Sequence, residues 1–423
     1  MGYFLLILIN LLFPVAGLGF LIYFFISPRR KLLKNFKAEI KERFVLSAIK
    51  NTPQNAIWIH AASVGEVKSV SVLAQKLKEV YKKPLIITST TQAGRQAALK
   101  SGVFDTALLM PLDFYFFIKR FINFYKPSEL FIVEADLWPN LVIASANNSV
   151  PVFVINGRLS KRSFKRYKLI KPLIKLILGK ISLICAQTED IAKRYIALGA
   201  TKERVFNTGN IKYDMLNQNP ARTEEAEEII KNLIWQNEFI LTCGSTHAEE
   251  EALIIKTAKK LKQVKFIIAP RHLERKNSII EKLEKSKIPF AVFSKIKEPL
   301  KEQKQILLID TMGMLGAFYT VGKLAFIGGT VSKKGGHNFL EAAILGKAIL
   351  SGPHFYNTPE VASKLFKNGG AVKINKTDFA SQLERFANDI NLTKQAGAKA
   401  QQIALSFKGA TDKTVSMIET YGK

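Results

Sequence analysis

Short apolar runs alternate along this chain with segments whose apolar residues recur at helical spacing. Most runs lack the alternation of a half-exposed strand, and they predict two doubly wound, Rossmann-like α/β domains facing a cleft, each a parallel sheet covered by helices. The predicted strands of the first half are Ile57–His60, Leu85–Thr88, Ala107–Met110, Leu130–Glu134, Val152–Ile155 and Leu183–Gln187. Those of the second half are Phe239–Cys243, Phe266–Ala269, Phe290–Phe293, Ile306–Ile309, Leu324–Gly328, Ala348–Leu350 and Ala371–Ile374.

The length of the chain also favours two domains. At 423 residues it exceeds one ordinary hydrophobic core, and domains of about 150–200 residues are expected. The polar segment Asn207–Glu224 contains a glycine and a proline and marks the connection. We expect an N-terminal domain over residues 51–208 and a C-terminal domain over residues 209–400. Residues 401–423 are expected to form a C-terminal helix that can pack back on the N-terminal domain.

The N-terminus predicts a membrane anchor. Residues 1–28 carry no charged side chain, and Tyr3–Ile26 is long enough to cross about 30 Å of hydrocarbon. The basic residues 29–31 follow at once and place the rest of the chain in the cytoplasm. A cleaved signal peptide would need a basic start and a small-residue cleavage site, which are missing. We expect a transmembrane helix over residues 1–28 and a basic linker helix over residues 29–50.

The charge of the chain points to anionic partners. Lysine and arginine outnumber acidic residues by 63 to 34, and a net charge of +29 attracts nucleic acid, anionic membranes or phosphorylated substrates. Residues 114–121 are aromatic and basic, and residues 161–180 interleave basic with apolar side chains. Both suit an anionic membrane interface, with core packing under a solvated basic face as the alternative. Nucleic-acid binding is disfavoured because the membrane already explains the charge.

Several chemistries lose support from the sequence. No strand is followed by G-x-G-x-x-G, no Walker A loop is present, and no two aspartates stand one residue apart. Nicotinamide enzymes, P-loop NTPases and metal-dependent sugar-nucleotide transferases are therefore disfavoured. Cys185 and Cys243 lie in apolar strand-like runs and are expected to be buried, reduced thiols.

The loop His60–Glu66 joins a predicted strand to a long amphipathic helix. Glu66 falls in the first helical turn, where the helix dipole favours an ionised carboxylate. Open α/β sheets place their chemistry at the carboxyl ends of parallel strands, which makes Glu66 a candidate general base. A glutamate that only satisfies the helix dipole is the alternative.

A glycine-rich segment follows a strand of the second half. Gly328-Gly329-Thr330 ends the strand, and a second glycine pair at Gly335-Gly336 opens a predicted helix. Bare N–H groups at a helix N-terminus form a phosphate site, and Asn338 suits the N-cap position. Glu341 lies one turn further, where its carboxylate could accept hydrogen bonds from both hydroxyls of a ribose. A plain glycine-rich turn is the alternative.

Three more loops of the second half end predicted strands. Pro270 stops one strand and leaves Arg271 and His272 at the rim, where an arginine can grip a phosphate. A solvated loop arginine is the alternative. The loop Gly244–His247 presents small hydroxyl side chains where a phosphate could bind, and Asp310–Met314 is a further strand-end loop.

Strand ends of the first half carry carboxylates and a cation. Glu134 and Asp136 close one strand, and the pair could bind amino-sugar or hydroxyl groups or cap the next helix. Arg158 follows the next strand. The histidines also lie at or beyond strand ends, which scattered surface histidines would not do: His60, His247, His272, His337 and His354.

Together these motifs resemble the bacterial Kdo transferases, which attach 3-deoxy-D-manno-oct-2-ulosonic acid (Kdo) to a lipid A precursor. The matching segments keep their order along the chain. They are HAASVGE (60–66), EADLWPN (134–140), NGRLS (156–160), QTEDIAKRYIALGA (187–200), GNIKYD (209–214), GSTH (244–247), PRH (270–272), DTMG (310–313) and GGHNFLE (335–341). The resemblance implies the two-domain GT-B architecture, CMP-Kdo as the donor substrate, and no metal or cofactor.

The resemblance also implies roles for individual residues. Glu66 matches the catalytic base proposed for the family. The residues that match its CMP-binding segments are Pro270, Arg271, Met312, Gly313, Met314, Asn338, Phe339, Leu340 and Glu341. Candidates for other donor or phosphate contacts are Ser245, Thr246, His272, Gly336 and His337. Candidates for acceptor contacts are Ser63, Gly65, Glu134, Asp136 and Arg158.

Some positions depart from the family pattern. The family usually has Glu where Met314 stands, which leaves a backbone contact there, and Pro where Phe339 stands. Ala248-Glu249 replaces a Glu-Gly pair, and Asp136 is one methylene shorter than the common Glu. None of these departures removes the candidate base or the glycine-rich segment.

The implied function is inverting transfer of Kdo from CMP-Kdo to lipid IVA, a phosphorylated lipid A precursor, in lipopolysaccharide biosynthesis. The implied location is the cytoplasmic side of the inner membrane, with the anionic membrane surface as a partner and no nucleic acid. Another inner-membrane GT-B glycosyltransferase that uses a different sugar nucleotide is the alternative.

Overall fold

The computed structural model of the protein describes residues 1–8, 10–11, 36–46, 53–134, 137–216 and 218–421. The chain forms two compact units, each with its own parallel sheet and hydrophobic core. The first unit comprises Met1–Met215 and Lys408–Lys423, and the second comprises Leu216–Phe407. The prediction of two parallel-sheet α/β domains is confirmed.

The first unit is built on a seven-stranded sheet in the order β3-β2-β1-β4-β5-β6-β7, with every neighbouring pair parallel. Its strands are β1 Ile57–His60, β2 Leu85–Ser89, β3 Thr106–Leu109, β4 Glu129–Val133, β5 Val152–Gly157, β6 Leu183–Ala186 and β7 Val205–Asn207. Its first helices are α1 Phe36–Arg43, α2 Val64–Tyr81, α3 Gln92–Ser101, α4 Tyr115–Tyr125, α5 Pro139–Asn147, α6 Lys161–Leu169, α7 Lys171–Leu178 and α8 Glu189–Leu198. All strands predicted for this half are present, and β7 was not predicted.

The second unit repeats this plan in the order β10-β11-β9-β8-β12-β13-β14, again with parallel pairs. Its strands are β8 Phe239–Thr246, β9 Val264–Pro270, β10 Phe290–Val292, β11 Ile306–Leu308, β12 Leu324–Ile327, β13 Ala348–Ser351 and β14 Ala371–Lys373. Its helices are α9 Thr223–Asn232, α10 Ala248–Lys260, α11 Lys276–Lys285, α12 Leu315–Val321, α13 Leu340–Ala343, α14 Pro359–Lys367, α15 Phe379–Asn388 and α16 Ile390–Ser406. Each predicted strand of this half is present.

Both faces of each sheet are buried. In β1 the neighbouring residues Trp58 and Ile59 point to opposite faces, and both are fully buried. They belong to two different apolar clusters. Ile240 and Leu241 of β8 do the same in the second unit. Burial on both faces, worth about 1.5–3 kcal/mol per large side chain, is the physical reason for the continuous apolar runs.

Both cysteines are free and buried, as expected from their apolar surroundings. Burial raises the pKa of Cys185 to about 12, and burial likewise raises the pKa of Cys243 well above its usual value. Neither thiol is therefore ionised near neutral pH.

The unit boundaries differ from the expected ones, which lay after residues 208 and 400. They fall after Met215 and Phe407. Ile211 packs in the core of the first unit and donates its N–H to Asn156 Oδ1 at 3.2 Å, so the segment after residue 208 still belongs to that unit. At the other end, α16 continues to Ser406 inside the second unit. The last helix, α17 Ala410–Tyr421, then packs on the first unit.

Little of the expected anchor, residues 1–28, lies within the described residues. Residues 2–8, 10 and 11 are helical. Among the described residues, no helix combines the length and the apolar character that a bilayer span requires. Helix α1, in the expected linker, is tied to the first sheet, because Glu42 Oε1 accepts the Leu109 N–H at 2.6 Å.

The two stretches considered for a membrane interface have different surroundings. Helices α4 and α7 bury their apolar faces in the core, so core packing accounts for them. Helix α6 buries none of its residues, and Leu169 at its end is 84% exposed.

Candidate active site

The strand order reverses once in each sheet, between β1 and β4 in the first unit and between β8 and β12 in the second. Open α/β sheets bind ligands beside the carboxyl ends of the strands at such a point. Ser63 and Glu66 lie at the start of α2, just after β1, and Glu134 directly follows β4. The serine–threonine segment of the second unit ends β8, and the glycine-rich segment follows β12.

Glu66 lies in the first turn of α2, directly after β1. Its Oε2 accepts a hydrogen bond from the Ala62 N–H at 2.8 Å, and its Oε1 accepts one from the Ser63 hydroxyl at 3.0 Å. Ser63 is the N-cap, and its Oγ accepts the Glu66 N–H. These bonds complete the helix start and fix the orientation of the carboxylate, so the capping role and a base role are compatible. An added Cβ on Gly65 would approach only Ser63 Oγ, at 3.9 Å, so the backbone there is open to a ligand.

Glu134 directly follows β4 and has a φ of +63°, which non-glycine residues rarely adopt. Its buried carboxylate accepts a hydrogen bond from Lys212 Nζ at 2.5 Å, and Arg158 Nη1 lies 3.8 Å from it. The Arg158 side chain is 62% exposed, so it can reach a ligand. Sequence reasoning assigned no role to Lys212, which is 78 positions from Glu134. The predicted partner Asp136 lies outside the described residues.

The carboxylate that caps α5 is Asp113, not Glu134. Asp113 accepts the backbone N–H of Leu141 at 2.7 Å and that of Asn140 at 3.2 Å. Burial raises the pKa of Asp113 to about 6, although these hydrogen bonds oppose the rise. The helix-capping interpretation of Glu134 is therefore wrong, because the N-terminus of α5 already has its acceptor.

Close backbone packing shapes the start of the second-unit site. An added Cβ on Gly244 would lie 2.0 Å from the Tyr319 hydroxyl, and one on Gly328 would lie 2.2 Å from the Ser245 carbonyl oxygen. Ser245 has a φ of +54° at the irregularity where β8 passes β9. Glycine at position 328 thus lets the ends of β12 and β8 approach each other, and glycine at position 244 makes room for the Tyr319 side chain of α12.

Glu250 links these two strand ends, and the sequence analysis did not predict this role. It is fully buried in α10, and its Oε2 accepts the N–H groups of His247 at 3.0 Å and Gly329 at 2.9 Å. Its Oε1 accepts those of Val331 at 2.9 Å and Ser332 at 3.1 Å. One carboxylate therefore holds both the start of α10 and the glycine-rich loop. A glutamate three residues after a strand-end residue is a capping-box signal that could have indicated it.

Three histidines gather at the ends of β9, β8 and β12. The Nε2 atoms of His247 and His337 are 2.9 Å apart, and the His247 and His272 ring centroids are 5.9 Å apart. Burial, and to a smaller extent the positive charge of Arg271, lower the pKa of His337 to about 4. Burial also lowers the pKa of His247, partly opposed by Glu250. The predicted contact residues His272 and His337 thus share one cluster with His247, which was not predicted as a site residue.

Arg271, Asn338 and Glu341 form the accessible polar part of this site. Asn338 Nδ2 donates to Glu341 Oε1 at 3.0 Å. Partial burial by the surrounding protein atoms raises the pKa of Glu341, while Asn338 and Arg271 oppose the rise. Within the described part of the chain, no carboxylate forms an ion pair with Arg271, so its guanidinium is available to an anion.

Four predicted nucleotide-binding residues cannot use their side chains. Met314, Phe339 and Leu340 are fully buried, and Pro270 is buried at the end of β9, so only their backbones could contact a ligand. The loop after β11 instead exposes Met312, whose side chain is 75% exposed, next to Gly313.

The helix after the second glycine pair is only the single turn α13. It begins at Leu340, whose N–H donates to Asn338 Oδ1 at 3.0 Å, so Asn338 precedes the N-cap by one residue. Gly346 then turns the chain with a φ of +68° towards β13. The predicted helix-dipole contribution of this segment is therefore reduced. The N–H groups of Gly336 and His337 are also occupied, because they donate to the carbonyl oxygens of Gly329 at 2.9 Å and Gly328 at 3.1 Å.

Some hydroxyl groups at this edge are buried without a hydrogen-bond partner among the described residues. They belong to Thr246, Ser332 and Thr311. Unsatisfied buried hydroxyls of this kind suit a polar ligand, because leaving them unpaired is costly. No group of three potential metal-ligating side chains occurs in the described ranges.

The lowered pKa of His337 predicts acid sensitivity. Between pH 6.5, the ordinary pKa of histidine, and about pH 4, the unfolded chain binds a proton that the folded chain does not. The free energy of unfolding therefore falls as the pH drops through this window, by about 1–2 kcal/mol at pH 5 for a partly screened group. His337→Gln should lose this component. Urea unfolding of both proteins at about pH 8 and about pH 5 measures it, and equal acid losses would contradict it.

Sequence comparison identifies the family. A family model described as 3-deoxy-D-manno-octulosonic-acid transferase (kdotransferase) matches residues 38–215. A 3-deoxy-D-manno-octulosonic acid transferase from Haemophilus influenzae is 34% identical over 378 residues, which cover 87% of this chain and 88% of that protein. A second such transferase, from Chlamydophila psittaci, is 30% identical over 76% of this chain and 75% of its own length.

Solved structures with similar folds include a glycosyltransferase and an epimerase. A glycosyltransferase from Rickettsia africae superposes with a TM-score of 0.57 at 11% identity, covering 87% of this chain and 98% of that one. The UDP-GlcNAc 2-epimerase from Neisseria meningitidis gives a TM-score of 0.60 at 14% identity, covering 86% and 100%. At such identities the likeness shows the fold alone, that of GT-B glycosyltransferases. The chain belongs to the 3-deoxy-D-manno-octulosonic acid transferases, a glycosyltransferase family.

Proposed function

We propose that the protein transfers Kdo from CMP-Kdo to a phosphorylated lipid A precursor, lipid IVA, with inversion at the anomeric carbon. The observation that carries this proposal is the set of accessible polar groups at the switch point of the second sheet. Arg271 offers an anion-binding guanidinium, and Glu341 offers a carboxylate one turn into the adjoining segment. Family membership supports Kdo as the transferred sugar.

In this proposal the second unit binds the nucleotide. The phosphate lies against Arg271 and the N-terminal end of α13 after Gly336, while Glu341 accepts hydrogen bonds from the ribose hydroxyls. The buried hydroxyls of Thr246, at the end of β8, and Thr311, after β11, have no partner among the described residues and add donors at the carboxyl edge of the same sheet. Arginine suits this role because its fork geometry matches two phosphate oxygens.

Glu66 acts as the general base in the first unit. The acceptor hydroxyl gives its proton to the carboxylate as its oxygen bonds to the anomeric carbon of Kdo. The bond from that carbon to the phosphate oxygen breaks, and its electron pair leaves with CMP. Ser63 and Ala62 keep the carboxylate oriented during this step. Ser63, Gly65, Glu134 and Arg158 would contact the acceptor.

Cleavage raises the charge of the phosphate, which changes from a monoanionic diester to a monoester. Positioned positive groups and N–H donors stabilise that charge without reorganisation, so the proposal includes no metal or cofactor. Arg271 is a cation of this kind, and its positive charge also lowers the pKa of His337 and opposes the rise in the pKa of Glu341.

The location also belongs to the proposal. We place the protein at the cytoplasmic side of the inner membrane, held by an anchor within residues 1–28. The net charge of +29 and the uncovered helix α6 support attraction to an anionic membrane that carries the acceptor.

Nucleotide competition tests the donor assignment. CMP should inhibit transfer of Kdo to lipid IVA, followed by mass spectrometry of the product, whereas UDP at the same concentration should not. Inhibition by UDP but not by CMP would instead support another GT-B glycosyltransferase with a different sugar nucleotide.

A further inference from the structure

We propose that His247 and His337 form a proton-accepting pair that takes up one proton when the phosphate of CMP binds beside Arg271. The inference rests on the proposed function, because it deepens the description of the same donor site. It adds a residue, His247, and a coupling between nucleotide binding and pH.

The contact between the two rings limits the pair to the uptake of one proton. Their Nε2 atoms are 2.9 Å apart, with the rings 17° from parallel, so one Nε2–H donates to the lone pair of the other nitrogen. Two protonated Nε2 atoms would face each other as donors, so both rings cannot be charged in this arrangement. The donor ring can still accept one proton at Nδ1, which turns the contact into a stronger, charge-assisted hydrogen bond.

The backbone holds both rings in place. The His247 N–H is bound by Glu250 Oε2, and the His337 N–H donates to the Gly328 carbonyl oxygen at 3.1 Å. A Cβ on Gly329 would lie 3.0 Å from the His337 ring, so glycine admits the ring there. The pair is therefore a consequence of two neighbouring strand-end loops.

The surrounding charges keep the pair neutral before the phosphate arrives. Burial and nearby positive groups lower the pKa of both rings, and two carboxylates on α10 partly oppose this. A bound phosphate offsets the positive field and favours the protonated pair. The charged and titratable groups that act on the pair are Glu250, Glu251, Arg271, His272 and Lys334.

This coupling serves the reaction at its last step. The phosphate gains negative charge when the bond to Kdo breaks, and a proton on the pair balances part of that gain. CMP, the product, should then bind more tightly as the pH falls, by up to about tenfold per pH unit where one full proton is taken up.

Isothermal titration calorimetry of CMP binding, in buffers with different ionisation enthalpies, measures the proton directly. The part of the uptake that is due to the pair should grow from about pH 8 to about pH 6 and approach one proton. His337→Gln and His247→Gln should each reduce it, whereas His354→Gln, a histidine outside the cluster, should not. Protonation of CMP itself is common to all proteins and cancels in this comparison.

Cytidine, which lacks the phosphate, should bind without proton uptake. CMP binding with equal uptake in wild type and in both pair variants would overturn the pair while leaving the donor site intact. Absence of CMP binding by the wild-type protein would overturn the proposed function and the pair together. Loss of proton uptake in the His354 variant, but not in the two pair variants, would also contradict the assignment of the proton to His247 and His337.

Discussion

Glu66→Gln is expected to lower kcat for Kdo transfer by about 10²–10⁴-fold, the usual contribution of a general base. The glutamine has the same shape, but its amide cannot take the proton of the acceptor hydroxyl. The KM for CMP-Kdo should change little, because the proposed nucleotide contacts lie in the second unit. Steady-state kinetics with lipid IVA, at saturating donor, measures the effect.

Stability must be separated from chemistry in this variant. The glutamine loses one of the hydrogen bonds from Ala62 and Ser63, which costs about 1–3 kcal/mol. Thr91→Ala is the matched control, because it removes the N-cap of α3 at about 1 kcal/mol and leaves Glu66 and Ser63 intact. Its kcat should fall far less. A folded Glu66→Gln protein with wild-type turnover would contradict the base assignment.

The strands could be predicted because burial on both faces leaves a direct trace in the sequence. Trp58 and Ile59 lie on opposite faces of β1 and are both fully buried, so no polar residue interrupts the run. Strand β7 was not predicted, because it is not buried on both faces. Of Val205, Phe206 and Asn207, only the first is buried, so the apolar run is too short to recognise.

The candidate site was predictable only to the level of strand ends. Motif position places Arg271 and Asn338 at the carboxyl edge of one sheet, but it does not tell which side chains point outward. Met314 and Phe339 lie in the same motifs and point into the core. The contact between His247 and His337 joins residues 90 positions apart and depends on how two loops close, which no local pattern encodes.

Glu250→Gln is expected to loosen the glycine-rich loop of the second unit. The carboxylate accepts four backbone N–H groups, two on each oxygen. The amide nitrogen of glutamine would face two of these donors and accept neither. Hydrogen bonds to a charged group contribute about 1.5–3 kcal/mol each, so the local free energy of opening should fall by about 3–6 kcal/mol.

Hydrogen–deuterium exchange measures this fall in the local free energy of opening at the backbone amides of the loop. A fall of about 3 kcal/mol corresponds to about 100-fold faster exchange at residues 329–332. CMP affinity should fall with it, because the Gly329 carbonyl oxygen accepts the Gly336 N–H at 2.9 Å and so positions the segment placed against the phosphate. Glu249→Gln is the matched control on the same helix, since its pair with Lys376 at 3.0 Å is exposed and worth about 0–1 kcal/mol. Because both variants remove one negative charge from α10, a difference between them isolates the four N–H bonds. Equal protection of residues 329–332 in the two variants would show that the loop holds its shape without Glu250.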